Sequence, residues 1–167
     1  IAFDIRDEDA VIASISEILE HHAKIDGLVN NAGGQFPARL EDISNNGWNA
    51  VVATNLTGGF LVSREVYRQW MKAHGGAMVN IIADMWRSMV EMGHSGAARA
   101  GMMSFTETAA VEWGPDGVRV NAVAPGWNMS SGFDTYDDPE TRKRFSEMPN
   151  YVPLKRIGTE AELSAAI

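Results

Sequence analysis

The 167-residue sequence contains no cysteine, which excludes a disulfide framework, a thiolate zinc site and a cysteine nucleophile. Histidine is scarce as well: the four, at 21, 22, 74 and 94, lack the spacing of metal ligands. No apolar run approaches the ~20 residues that cross a bilayer. The first residues carry no basic segment leading into an apolar one, so a cytoplasmic protein with no membrane partner is expected. Positive charge is in deficit, with 14 Lys and Arg against 22 Asp and Glu, a net charge of −8 and a pI near 4.9. That balance has the wrong sign for gripping a phosphate backbone, and nucleic acid is not an expected partner. Low-complexity tracts are absent too. A chain with 45% hydrophobic and 22% charged residues has the composition of a soluble globular domain, and one of this length buries ~70% of its unfolded surface.

What is present is an alternation of two periodicities. From Asp7 onward, Val11, Ile12, Ile15, Ile18 and Leu19 recur at three and four residues, which predicts a helix of about four turns. The run at 27–30 reads as a short buried strand entering a turn at 31–34. Trp48, Val51, Val52, Asn55, Leu56, Gly59, Val66 and Trp70 predict a long helix over 46–73, closed by Gly75 and Gly76, with an Asn inside its apolar stripe. Residues 77–82 read as a strand, 97–113 as a helix with Ala98, Met102, Phe105, Ala109 and Trp113 on one face, and 118–124 as another strand. Residues 1–5 have the character of a strand end. Near-continuous apolar strands separated by helices imply an α/β fold with a parallel sheet covered on both faces. Beyond Pro125 and Gly126 the alternation stops. Residues 127–157 are polar and punctuated by Gly and Pro, as expected of a long loop with a short helix. Thr159 and Glu162 have the spacing of a capping box that starts a last helix.

Four strings agree in order and spacing: NNAG at 30–33 after a strand, TNLTG around Asn55, VNI at 79–81, and NAVAPG at 121–126. Together they resemble the short-chain dehydrogenase/reductase family, whose members bind NAD or NADP on a Rossmann-type, doubly wound parallel sheet. NNAGGQF, GWNAVVATNLTGGF, WMKAHGG and GHSGAARAG are similar to the branch holding peroxisomal trans-2-enoyl-CoA reductase and bacterial citronellol or citronellal dehydrogenases. The resemblance implies a partial dinucleotide-binding domain over 1–167, with 127–158 as a substrate-loop region. It also exposes a gap. The family's TGxxxGxG turn, which places a helix N-terminus at the pyrophosphate, does not occur, and Thr57-Gly58-Gly59 lies inside a helix pattern. The expectation is a fragment of a longer chain of about 250 residues, lacking the first two strands and the last one, inactive in isolation and with an exposed sheet edge.

By resemblance, cofactor contacts fall on Asp4, Ile5, Asn31, Ala32, Gly33, Arg99, Pro125, Gly126 and Ser130. The family's Tyr and Lys, four residues apart on one helix face, correspond to Ser95 and Arg99, and the usual Ser is replaced near Ala83 and Asp84. Of the usual Asn, Ser, Tyr and Lys, only Asn55 matches. A serine hydroxyl is a far weaker acid than a phenol, and a guanidinium holds hydroxyls but relays no proton. The catalytic set expected is Asn55, Ser95, Arg99 and His94, the last a titratable candidate with Asp84 behind it. Asn55 and Ser95 also have structural readings, as a tie between helix and sheet and as a helix-capping hydroxyl. Alcohol oxidation needs a group that exchanges the hydroxyl proton, whereas reduction of a conjugated enoyl thioester needs mainly donors for the enolate oxygen. The functional expectation is hydride transfer to or from an apolar acyl-CoA or terpenoid. The alternatives are an alcohol or carbonyl dehydrogenase and a non-catalytic assembly module. A homo-oligomer, a tetramer by resemblance, is expected through the two long helices.

Overall fold

The computed structural model describes residues 1–128 and 137–167, in two units, Ile1–Ala124 and Pro125–Ile167. In the first, α1 (Glu8–His22) is capped by Asp7, whose side chain accepts the Ala10 amide, and buries Val11 and Ile15. Burying each such side chain contributes ~1.5–3 kcal/mol. Strand β1 (Gly27–Asn30) follows. The long helical rod is built of α2 (Asn45–Val52), a π-helical turn (Ala53–Gly58), α3 (Gly59–Val66), a second π-helical turn (Tyr67–Met71) and α4 (Lys72–His74). Strand β2 (Gly76–Ile81), α5 (Gly93–Trp113) and β3 (Val118–Val123) complete the unit.

The sheet has the order β1-β2-β3 and is parallel throughout, with Asn30 opposite Asn80 and Ile81 opposite Val123. Parallel pairing puts all three carboxyl ends at one edge, which is where the site lies. The core joins Val11 and Ile15 of α1, Leu61, Val62 and Val66 of α3, Met78 of β2, Ala109 of α5, and Val118 and Val120 of β3. A charge relay on the surface ties α1 to α3: Arg64 reaches Glu8 at 2.5 Å and the buried Glu65 at 2.9 Å.

Two expectations need correction. Residues 1–5, read as a strand end, enter no ladder; Phe3 and Ile5 instead pack on the core, Ile5 against the open Cα face of Gly58. The helix expected from Ala97 begins four residues earlier, at Gly93, because His94 and Ser95 are fully buried and their packing extends the helix beyond what local apolar periodicity marks. Thr57, Gly58 and Gly59 do lie within the rod, and Gly59 lets the Met102 methyl approach.

In the second unit, α6 (Pro139–Glu147) and α7 (Glu160–Ser164) are the helices. The capping box forms as expected: Thr159 Oγ1 accepts the Glu162 amide and Glu162 accepts the Thr159 amide. Glu162 is further held by Arg156, which keeps its carboxyl at about 2. Asn128 pairs with Gly158. Among the described residues no helix is long and apolar enough to cross a membrane.

Candidate active site

The carboxyl edge of the sheet is organised by small polar side chains rather than by charge. Asn30 Nδ2 donates to Ser63 Oγ and to Asn80 Oδ1, both at 2.7 Å, and Asn80 Nδ2 donates to Thr106 Oγ1 at 2.8 Å. The hydroxyls of Ser63 and Thr106 donate onward to the carbonyls four residues back, Gly59 and Met102. This chain links β1, β2, α3 and α5. Asn80 and Ser63 are wholly buried, so each donor they satisfy avoids a desolvation cost of about 1–3 kcal/mol.

Asn55 sits in the first π-helical turn, buried among its neighbours. A π turn carries one residue more than an α turn, a distortion found frequently at functional sites. Its side chain grips the backbone of one residue through two consecutive peptide units: Oδ1 accepts the Gly34 amide and Nδ2 donates to the Gly34 carbonyl, each at 2.8 Å. Asn55 thus orders the turn after β1. Asn31, Ala32 and Gly33 of that turn are exposed. Gly33 has no room for a side chain, since a β-carbon would come within 2.8 Å of Asn55 Oδ1 and closer still to Arg99 Nη2.

Arg99 rises from α5, and its Nη1 donates to the carbonyl of Ile81, the last residue of β2, at 2.5 Å. Burial lowers its pKa, and no carboxylate among the described residues pairs with it. One turn earlier, Ser95 does not cap the helix. Its amide is satisfied by His94 Nδ1 at 2.9 Å, and its hydroxyl donates to Gln35 Oε1 at 2.6 Å. Because the helix starts at Gly93, Ser95 lies inside the first turn and its side chain faces the β1 turn. His94 is fully buried with Phe36 edge-on at 4.5 Å. With Nδ1 accepting, the ring proton belongs on Nε2, and that atom has no partner among the described residues. Asp84 is exposed and forms no hydrogen bond with His94.

Gln35 and Phe36 are candidate site residues that motif reading missed, although both stand within the quoted NNAGGQF string; nothing local marks them, because their partners Ser95 and His94 lie 60 and 58 residues away. Of the expected cofactor residues, Ile5, Asn31 and Ala32 line one cleft with Leu28 and Val29. Arg99 and Asn55 meet at Gly33. Asp4 is exposed and pinned by Arg6, whose hydrogen bonds hold its carboxyl at about 2. Pro125 and Gly126 belong to the second unit, where Asn128 Nδ2 donates to the Gly126 carbonyl. Ser130 lies outside the described residues.

The family model described as enoyl-(acyl carrier protein) reductase matches residues 1–167. The chain belongs to the short-chain dehydrogenase/reductase family. A peroxisomal 2,4-dienoyl-CoA reductase of Danio rerio is 36% identical over 173 residues, covering 100% of this chain and 56% of that protein. A probable 2,4-dienoyl-CoA reductase of Bacillus subtilis is 37% identical, covering 97% of the chain and 65% of the relative. Among solved structures, a citronellol catabolism dehydrogenase of Pseudomonas aeruginosa superposes with a TM-score of 0.84 at 52% identity, over 99% of this chain and 62% of that one. The chain therefore spans roughly three fifths of the length of these relatives. The enoyl-reductase and citronellol branch expected from the motifs is the neighbourhood found.

Proposed function

We propose that the protein is an oxidoreductase that uses NAD or NADP and transfers hydride to or from an apolar enoyl thioester or terpenoid, with reduction of a conjugated acyl-CoA as the favoured direction. The Ser95–Gln35 hydrogen bond carries this reading. Ser95 spends its proton on Gln35 Oε1, so the amide has only its N–H groups left to offer, and Nε2 has no partner among the described residues. A fixed N–H donor stabilises a carbonyl oxygen that gains negative charge. It cannot accept the proton that alcohol oxidation releases. Arg99 stays charged at working pH and relays no proton either. The arrangement matches the demands of thioester reduction better than those of alcohol oxidation.

The residues present suit a dinucleotide. Ligands of open parallel sheets bind at the carboxyl ends of the strands, where Ile5, Asn31 and Ala32 line a cleft and an unpaired guanidinium waits beside Gly33. A nicotinamide bound there supplies or accepts hydride. Asn55 orders the Gly34 peptide, Arg99 holds the end of β2, and Gln35 is the donor for the substrate oxygen. His94 orders Ser95 and Phe36, and with its Nε2 covered, water is the proton source we favour for the α-carbon. Apolar substrates are supported by the side chains around the start of α5. Leu40 rests on Gly93 and Met89 on Gly96, the Ala38 amide donates to the Glu91 carbonyl, and Trp86 and Val90 are exposed. In this reading the protein also assembles as a homo-oligomer.

A second reading, alcohol dehydrogenation, is favoured by the 52% identity to the citronellol catabolism enzyme. Protein from the complete coding sequence, assayed with enoyl- and dienoyl-CoA plus NADPH against citronellol plus NAD, separates the two. We expect acyl-CoA reduction, lowered by about 10²–10³ in kcat by Gln35→Leu, the cost of losing one oxyanion donor. Oxidation of citronellol with no acyl-CoA turnover would overturn the first reading. No turnover with either, despite dinucleotide binding, would point to the assembly module.

A further inference from the structure

The guanidinium of Arg99 serves two neighbours at once. Nη1 donates to the Ile81 carbonyl at the end of β2, 2.5 Å away. Nη2 lies so close over Gly33 that a β-carbon at that position would overlap it, while the same Gly33 abuts Asn55 Oδ1. Gly34, the next residue, is gripped by Asn55 through two hydrogen bonds. A single planar fork from α5 therefore bears on the carboxyl ends of both β1 and β2. An ammonium is one point on a flexible stem and reaches one of these neighbours, not both. Among the described residues no carboxylate balances the partly buried charge, so ion pairing does not account for the guanidinium at this place.

We propose that Arg99 is a positioning residue whose shape, rather than its charge, sets the spacing of the β1 turn and the β2 end before a dinucleotide arrives. Lysine, the residue that the family resemblance puts at this place, cannot substitute for it in this protein. The ligand named here rests on the oxidoreductase reading; the lock itself does not.

The test compares Arg99→Ala, Arg99→Lys and the surface control Arg39→Lys in protein from the complete coding sequence. Two quantities are measured: NADH and NADPH affinity by nicotinamide fluorescence, with and without millimolar guanidinium or methylammonium, and amide hydrogen exchange in the cofactor-free protein at Gly34 and Ile82, whose amides donate to Asn55 Oδ1 and the Val123 carbonyl. Both Arg99 variants are expected to bind about tenfold more weakly or worse and to exchange faster at the two amides, with the control unchanged. Guanidinium restores binding to Arg99→Ala, and methylammonium of equal charge does not. Affinity of Arg99→Lys within about twofold of the parent, or equal rescue by methylammonium, would overturn the proposal. If the parent binds neither dinucleotide, the oxidoreductase reading fails, and the exchange data still decide the lock: unchanged protection in Arg99→Lys refutes it.

Discussion

The two ends of the sheet solve the same problem in opposite ways. At the amino end, Tyr67 donates to Asp116 at 2.5 Å and stacks on Trp113 with ring centroids 4.4 Å apart, while Gly75 and Gly117, both at positive φ, let two turns approach closely. Here donor meets acceptor and ring meets ring. At the carboxyl end the hydrogen-bonding capacity is left open. Among the described residues, Arg99 has a carbonyl but no counter-ion, His94 Nε2 has no partner, and Gln35 has its carbonyl engaged and its N–H groups unused. A buried polar group without a partner, as at His94 Nε2, costs stability. This open hydrogen-bonding capacity at one end supports the site proposed there.

Substitutions at the two ends should therefore divide between stability and binding. The largest effect is expected at the buried chain beneath the open end. Asn80→Ala removes the hydrogen bonds to Asn30 and Thr106 and should cost about 0.5–1.5 kcal/mol for each, read by denaturant unfolding, and should also weaken dinucleotide binding. Tyr67→Phe keeps the stack and removes one hydrogen bond, costing about 1 kcal/mol with dinucleotide affinity unchanged; a loss of affinity there would erase the distinction between the ends. The hydrogen bond to Asp116 raises the Tyr67 pKa. Its stabilising effect is thus complete below the ordinary phenol range and vanishes as pH climbs through the raised value, visible as one late-titrating tyrosine in ultraviolet difference spectra. The smallest effect concerns Asp4. Its carboxyl, held at about 2 by Arg6, favours the folded state above the usual carboxylate range and loses that contribution as pH falls through about 2. Arg6→Gln should return the carboxyl midpoint, followed by NMR, toward 3.8.

Much of this was legible from residue order. The stripe of Val11, Ile15 and Leu19, the strands at β1, β2 and β3, and the Thr159–Glu162 box are local patterns, and local patterns report on the element that contains them. Asn55 and the NNAG turn could be placed by motif. The partners could not. Ser63 and Thr106, which complete the polar chain, are isolated hydroxyls on helix faces. Gln35 reaches Ser95 only because the pairing of β1 with β2 and the packing of α5 on the sheet bring the turn after β1 to the start of α5. The expected strand at 1–5 failed for a related reason: a strand exists only where a neighbouring backbone accepts its hydrogen bonds, and no apolar pattern reports that neighbour.

The sequence by itself determined the alternation of elements, the parallel sheet and the family, because these follow from periodicity and from short strings whose spacing the backbone enforces. Only the tertiary structure decided that Asn55 spends its amide on Gly34, that Ser95 addresses Gln35 rather than the helix end, and that Arg99 bridges β2 and the Gly33 turn. Each of these depends on the distance between groups far apart along the chain, and such distances are set by packing.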